Sequence, residues 1–508
     1  MHHVLYGLAV NPALSPGQVG RLMSMADEEI ATRLAGRADL GHEQAVALAA
    51  HSADSAVLLA HEGRLTSADI DPGHRPEAAL ALLDRGTGSV EWARHFAADP
   101  VRERREKLAA CPGLPSDVVD TLAADPDVQV VAELAYWTTP DNAARLAAHP
   151  HAEVRRAVAG NEATPAATLA ALVTGDGLPP ARHCLVCDRG ETPLVHDPRR
   201  PRLDGDLPSG ASCDGSHEST VQGLLLAALG NPATPVEAVL GCADHPSVLV
   251  RRTLAARPDL PRQVSVRLAA DPDPGVRAAL AENPATDKAL IHTLADDPDP
   301  EVRRGLARHP RVPLTVLTVL ARTTRTGHTP LPRVTTASPV EVDQLARSPE
   351  PTTRMLVALR RDLPPETRDR LADDPDAKVA KAVAPHPGLT ETRLRAMVDR
   401  HGVHVLAGVA ANPDASPALL EDLVRHVPAP QRMLREVARH DSATAPALLA
   451  CLTDRRARLM AAGHPALPPP VIADLLTDTD WQVVEAAAAN PSLPPAVTAA
   501  LLALPHRG

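Results

Sequence analysis

Residues 273–284 read Asp-Pro-Gly-Val-Arg-Ala-Ala-Leu-Ala-Glu-Asn-Pro, and this stretch predicts a short helix with a defined start and end. Asp273 is suited to cap the helix N-terminus, and Pro274 suits the first turn, where a missing N–H costs nothing. The apolar side chains share one face at i, i+3 and i+4 spacing: Val276, Ala279 and Leu280. Because the residue before a proline is disfavoured in helical conformation, Asn283 is predicted to begin a turn.

The position of Asn283 recurs at a fixed interval, and we call it the turn residue. Four copies stand 26 residues apart, each followed by proline: Asn231, Arg257, Asn283 and His309. With slippage of one or two residues, further copies are Asn11, Arg37, Cys111, Trp137, Asn161, Arg360, His386, Asn412, His440, His464 and Asn490. The chain is therefore predicted to be an array of 26-residue repeats.

Apolar residues recur three positions before the turn residue and eleven positions after it, which predicts two helices per repeat. We call the helix before the turn residue the first helix and the one after it the second helix. The second helix is predicted to open with a capping threonine and a proline, as in Thr164-Pro165 and Thr234-Pro235. Helices of about nine residues do not persist alone in water, so each repeat must be stabilised by its neighbours.

Composition agrees with a repeat array of small apolar residues. Of 508 residues, 44% are hydrophobic, but only about 1% are aromatic and 52 are proline, so the core must consist of Ala, Leu and Val. The interval from Asn161 to Asn231 exceeds one period by 44 residues, and the remainder accommodates about 18 repeats. We predict an all-α solenoid, an open ribbon with repeats over 1–174 and 221–508 and an insertion over 175–220.

Residues 295–310 read Ala-Asp-Asp-Pro-Asp-Pro-Glu-Val-Arg-Arg-Gly-Leu-Ala-Arg-His-Pro and resemble a unit of the leucine-rich repeat variant family. The resemblance covers most of the chain. It implies a right-handed superhelix of alternating helices without β-sheet, similar in principle to HEAT arrays. One stretch, residues 322–338, departs from the pattern and is predicted to replace the first helix of its copy by a loop.

The insertion contains half of the six cysteines, and their spacing indicates a metal site. A C-x2-C pair can hold one ion from a tight turn, and C-x3-H completes a tetrahedral set of three thiolates and one imidazole. The predicted ligands are Cys184, Cys187, Cys213 and His217, with His196 or His183 as substitutes for His217. The segment is poor in apolar residues, so metal binding can supply the folding free energy that a core would otherwise provide. A disulfide between cysteines of the insertion is the alternative to a metal.

The other cysteines, which lie in the repeats, are predicted to be structural: Cys111, Cys242 and Cys451.

Residues 213–217 read Cys-Asp-Gly-Ser-His and resemble part of the CDGSH iron–sulfur signature. That resemblance implies a [2Fe-2S] cluster held by three cysteines and one histidine. The family places C-x-C close upstream, whereas here 25 residues separate C-x2-C from the signature. We therefore predict structural Zn²⁺, with a [2Fe-2S] cluster as the alternative.

No nucleophile elbow, Walker loop or dinucleotide fingerprint occurs, so the chain is predicted not to be an enzyme. A net charge of −11 gives no global attraction to nucleic acid or anionic membranes. The sequence shows neither a leader-like start nor a long apolar run, so we expect a cytoplasmic protein. The leading hypothesis is a scaffold that binds a protein or peptide on its concave face. An iron–sulfur redox or sensor protein is the alternative, and a nucleic-acid-binding HEAT-like protein is the third.

Two recurrent residue types have structural and functional interpretations. The arginines at one first-helix position could form a basic row for nucleic acid, but are predicted to bond acids and carbonyls in adjoining turns: Arg155, Arg251, Arg277 and Arg303. The turn histidines are predicted to replace the capping asparagine rather than bind metal: His309, His386, His440 and His464.

Overall fold

The computed structural model describes residues 2–189, 218–325, 327 and 329–503, and these residues form helices and turns without a strand. A single parallel bridge joins His151 to His183. The predicted all-α fold is confirmed, and the described residues form two-helix repeats. In the described part of the chain, no helix is both long and apolar enough to cross a membrane.

Up to residue 189 the helices are α1 (His2–Val10), α2 (Pro16–Ser24), α3 (Glu28–Ala35), α4 (His42–His51), α5 (Ala53–His61), α6 (Pro76–Asp84), α7 (Val90–Ala97), α8 (Arg102–Ala109), α9 (Ser116–Ala123), α10 (Val128–Trp137), α11 (Pro140–Leu146), α12 (Ala152–Gly160), α13 (Ala166–Thr174) and α14 (Leu185–Arg189). From residue 218 they are α15 (Glu218–Gly230), α16 (Val236–Val239), α17 (Val248–Ala255), α18 (Arg262–Ala269), α19 (Pro274–Glu282), α20 (Lys288–Ala295), α21 (Pro300–Ala307), α22 (Leu314–Thr323), α23 (Pro332–Thr335), α24 (Pro339–Ala346), α25 (Pro351–Ala358), α26 (Pro365–Ala372), α27 (Ala377–Val383), α28 (Glu391–His401), α29 (Leu406–Ala410), α30 (Pro417–Val424), α31 (Gln431–Arg439), α32 (Ala445–Cys451), α33 (Arg455–Ala462), α34 (Pro469–Leu475), α35 (Trp481–Ala489) and α36 (Pro495–Ala503). Two 3₁₀ helices follow α16 and α28, at Leu240–Asp244 and Gly402–His404.

The helices form two compact units. The first consists of Met1–Leu59 with Gly327–Gly508, and the second is Ala60–Thr326. In the second unit the first helices α17, α19 and α21 pack on one another in order, and the second helices α18, α20 and α22 do the same. This side-by-side packing of like helices is typical of a solenoid.

The two predicted apolar ladders form the core of each unit. In one repeat, Leu280 from the first helix and Leu294 from the second are both about 1% exposed. The second-helix ladder is shifted in the last two repeats, where Ile472 and Leu502 are buried and the predicted Leu475 is only half-buried. The shift of three residues keeps the side chain on nearly the same side of the helix, whereas the shift of one residue turns it by about 100°.

The predicted start of the first helix is confirmed, but the predicted cap of the second helix is wrong. The Oδ1 atom of Asp273 accepts a hydrogen bond from the backbone N–H of Gly275 at 2.8 Å, with Pro274 in the first turn. In α13, by contrast, Pro165 is the N-cap residue, and the Thr164 hydroxyl donates to the carbonyl of Val158 at 2.7 Å. The threonine thus satisfies an unpaired carbonyl at the end of the first helix.

Asparagine and arginine side chains at the turn position bond their repeat to the neighbouring one. Asn283 Nδ2 donates to the carbonyls of Ala255 and Arg257, at 2.9 and 2.6 Å, and Asn283 Oδ1 accepts from the N–H of Ala285. Arginine does the same at position 257, where Nη1 reaches the carbonyl of Asn231. We call this series of bonds the turn ladder. It satisfies the carbonyls that a helix leaves unpaired at its C-terminal end.

Two of the four turn histidines take the place of asparagine in this ladder as predicted, but His309 and His386 do not. His309 Nε2 and both ring nitrogens of His386 are buried without a hydrogen-bond partner among the described residues. The His440 ring bonds the carbonyl of Asn412 through Nε2 at 2.8 Å and accepts from the N–H of Ser442 through Nδ1. His464 makes the same pair of bonds, to the carbonyl of His440 and the N–H of Ala466.

The turn histidine His386 is buried. Burial lowers its pKa to about 4, so this side chain is neutral at physiological pH.

The turn ladder also joins the first repeat to the last one. Asn11 Nδ2 donates to the carbonyls of Ala488 and Asn490, at 2.9 and 2.8 Å, and α1 packs against α35. Asn490 bonds the carbonyls of Ala462 and His464 in the same way. The N-terminal repeat therefore takes the place of the repeat that would follow the last one. This contact contradicts the predicted open ribbon, in which the terminal repeats do not touch.

The insertion leaves the stacking of its neighbours unchanged. First helices α12 and α15 pack together, and Asn231 Nδ2 donates to the carbonyls of Ala159 and Asn161 as if the repeats were contiguous. The repeats on either side of the insertion thus stack as neighbours. The second irregular stretch, 322–338, retains the four-residue helix α23 where a first helix was predicted to be absent.

Candidate functional site

The described part of the insertion contains two of the predicted metal ligands. Cys184 is 1% exposed and Cys187 is 7% exposed, and both lie in one apolar cluster with Ala152, Ala181 and Val186. The backbone N–H of Asp188 bonds the carbonyl of Cys184 at 3.1 Å, so a helical turn begins at Cys184. Residues three apart on such a turn share one side, which is the arrangement a C-x2-C metal knuckle requires.

The remaining predicted ligands lie mostly beyond this part of the insertion. Cys213, His217 and the substitute His196 lie outside the described residues, so the four-ligand set stays a prediction. The substitute His183 is described, and its side chain is more than half exposed, with Nδ1 3.9 Å from Asp188 Oδ1. Over 2–189, 218–325 and 329–503, no group of three or more His, Cys, Asp or Glu side chains is arranged to hold a metal.

A buried histidine attaches this part of the insertion to the array. His151 Nδ1 accepts the backbone N–H of Glu153 at 3.1 Å, so the proton of the neutral ring belongs on Nε2, which donates to Asp188 Oδ2 at 2.9 Å. The N–H of Ala152 bonds the carbonyl of His183 at 2.9 Å. The repeat pattern did not predict this role of His151, although histidine there replaces the aspartate that caps other first helices.

Two members of the predicted arginine row, Arg251 and Arg277, bond an aspartate and a carbonyl of the adjoining turns, as predicted. Arg277 bonds Asp297 through Nε at 2.7 Å and Nη2 at 3.1 Å, while Nη1 donates to the carbonyl of Asp271. Arg105, Arg251 and Arg354 make the same two-point contact with the aspartate 20 residues further on. Hydrogen bonding to Asp297 raises the pKa of Arg277. Guanidinium groups engaged in this way are not available for phosphates.

The other arginines of this region lie beside a groove of about 570 Å³ across α17, α19 and α21. Its floor is formed by small residues of α19, Ala278 and Ala279 among them, and Arg252 and Arg304 stand on the helices at either side. Neither arginine forms an ion pair with any described residue. These two cations, together with the exposed carboxylate of Glu301, are charged groups that the groove offers to a partner.

Comparisons with known proteins do not assign the chain to a family. No protein-family model matches it, and no curated protein matches it. The chain is similar to a solved structure described as "Structure of the Pds5-Scc1 complex and implications for cohesin function". That likeness covers 96% of this chain and 85% of the other, with 13% identity and a TM-score of 0.22. A TM-score this low carries no argument, so the repeat architecture rests on the helices and bonds described above.

Proposed function

We propose that the chain is a non-catalytic cytoplasmic scaffold of the leucine-rich repeat variant type, which binds a protein or peptide along the concave face formed by its first helices. The observation that carries the proposal is the groove across α17, α19 and α21. It extends across three neighbouring first helices, which gives a segment of polypeptide several repeats to contact. The name of the Pds5-Scc1 structure also describes a complex, although its likeness to this chain is too low to support the proposal.

The charges beside the groove favour a partner segment that contains an acidic side chain. Arg252 and Arg304 flank the floor formed by Ala278, and the nearby Arg308 is paired with Glu282 at 2.8 Å. Guanidinium groups bind carboxylates through two parallel hydrogen bonds. A carboxylate between Arg252 and Arg304 would therefore satisfy both groups without displacing an existing ion pair.

Filling the groove is expected to prevent partner binding. Ala278→Trp places a large side chain on the groove floor and should reduce recovery of co-purifying protein from native lysate by about tenfold. Val266→Trp is the matched control, because Val266 is exposed on the second helix α18 and recovery should change by less than about twofold. Equal recovery with both variants, or none with the unaltered chain, would contradict the proposal.

We also propose that Zn²⁺ stabilises the insertion through Cys184, Cys187, Cys213 and His217, with His196 or His183 in place of His217. Two thiols in one buried cluster support it, because a metal would obtain two of its four ligands from one helical turn. The CDGSH resemblance supports the alternative, a [2Fe-2S] redox or sensor centre.

Metal analysis of the purified chain distinguishes the two versions. We expect a colourless protein with about one zinc per chain, and Cys184→Ser should lose that zinc. Cys242→Ala is the control, because Cys242 is buried in the second-helix ladder and burial raises the pKa of its thiol. A brown protein with about two irons per chain would contradict the zinc version and support the [2Fe-2S] cluster. A metal-free protein would contradict both versions.

A further inference from the structure

Among the described residues, Arg155 lacks the carboxylate that Arg251 and Arg277 have at the same position of their repeats. Arg155 occupies the same first-helix position as Arg277, but the residue 20 positions further on is Gly175, where the chain leaves the repeat for the insertion. Arg155 Nε donates to the carbonyl of His149 at 2.7 Å. Its Nη2 atom is buried and bonds no described residue. The residue as a whole is only 7% exposed, so water does not replace the missing partner.

Arg155 lines a pocket of about 410 Å³ bounded by α12, α13, α15 and the segment that follows Gly175. The lining is mainly apolar, and includes Leu172, Leu178, Pro180 and Leu224. Of the described residues that line it, Arg155 alone carries a charge. A concave apolar surface with one convergent polar group is the usual form of a small-molecule site, and the volume lies within the usual range.

The counterparts of Arg155 indicate what the pocket lacks. In the Arg277 site the repeat provides Asp297 as a two-point acceptor, and hydrogen bonding raises the pKa of the arginine. Burial without an acid lowers the pKa of Arg155 instead. Arg303 also has no acid, but its Nε lies 3.4 Å from the Thr324 hydroxyl. A buried cation without a counter-ion is costly, so an external anion gains more at Arg155 than at an exposed arginine.

We propose that this pocket binds a small carboxylic acid with an apolar body, its carboxylate held by Arg155 and its body packed against Leu172, Leu178 and Leu224. The carboxylate takes the place of the aspartate that the other repeats provide. The apolar body accounts for the remainder of the volume, which an inorganic anion would leave unfilled. The site is independent of the groove on α17, α19 and α21, and its ligand is of a different chemical class.

Calorimetric titration of the full-length chain with octanoate tests the proposal, with octanamide as the neutral analogue of the same shape. Octanoate should bind at least about tenfold more tightly than octanamide, and more tightly than acetate, which lacks the apolar body. Arg155→Gln should remove the preference for octanoate over octanamide. Arg156→Gln is the matched control, because Arg156 is next in sequence but pairs with Glu153, and it should leave octanoate binding unchanged.

A second variant keeps the test valid if Arg155→Gln does not fold. Gly175→Asp restores an acid at the position where Arg277 has one; the backbone there is left-handed, with φ of 78°, which aspartate tolerates better than most residues. No atom stands within 4 Å of the position of the new Cβ. This variant should weaken octanoate binding at least about tenfold by occupying the guanidinium. Absence of octanoate binding to the unaltered chain, equal affinity for octanamide, or unchanged binding in both variants would overturn the proposal.

Discussion

Replacing Gly7 with leucine should lower the free energy of unfolding by about 3 kcal/mol, because Gly7 lies where α1 meets α35 with no room for a side chain. A Cβ atom there would overlap the carbonyl oxygen of Glu485 and stand 2.7 Å from the Cβ of Ala488. Backbone atoms cannot move aside as a flexible side chain can. The variant must therefore separate the first repeat from the last.

The register of Gly7 supports this expectation. Gly305 and Gly408 also stand four residues before a turn residue. A Cβ atom would lie 2.9 Å from a carbonyl oxygen of the preceding first helix at Gly305, and 3.1 Å from one at Gly408. The junction between the terminal repeats thus has the same close approach as junctions within the continuous chain.

Urea unfolding monitored by circular dichroism measures the effect of Gly7→Leu. Gly20→Leu is the matched control: Gly20 is exposed on α2, a Cβ added there would have no atom within 4 Å, and leucine should be neutral or slightly stabilising. Equal stability of the two variants would mean that α1 does not pack on α35.

Asn412→Ala should cost about 3 kcal/mol, because it removes three hydrogen bonds from a fully buried position. Asn412 Nδ2 donates to the carbonyls of Ala384 and His386, at 2.6 and 2.7 Å, and Oδ1 accepts from the N–H of Asp414. The side chain is 0% exposed, so water cannot replace these bonds. Alanine would leave three backbone groups without partners.

Asn412→His is the matched variant and should cost less than about 1 kcal/mol at pH 7.5, because His440 and His464 already make equivalent bonds in their own repeats. The two variants are compared by their urea midpoints. If histidine is as damaging as alanine, packing volume rather than the turn ladder determines which residues this position accepts.

The sequence predicts the repeat architecture because the fold is built from local rules that recur. Asp273 caps a helix, the proline after Asn283 ends it, and the leucine ladders are buried in nearly every copy. The cap of the second helix was predicted incorrectly because threonine can accept a hydrogen bond from an N–H or donate one to a carbonyl. Thr164 donates, and only the geometry of the preceding helix distinguishes the two roles.

The contact between terminal repeats could not be predicted from the period. Every repeat presents similar faces, so the pattern is equally consistent with a free end or an occupied one. Gly7 carried the available signal, since it shares the register of Gly305 and Gly408. In the candidate metal centre, the spacing of Cys184 and Cys187 was informative because it is local, whereas the attachment through His151 depends on residues 37 positions apart.

Amide hydrogen exchange in α1 tests the central claim that each repeat is stabilised by its neighbours, the first by the last. A nine-residue helix without a partner exchanges rapidly, so the amides of Leu5, Leu8 and Ala9 report directly on the contact with α35. We predict that they exchange as slowly as the buried amides of α35, and that Gly7→Leu accelerates both sets by more than about tenfold. Rapid exchange of α1 in the unaltered chain, with α35 protected, would contradict the account.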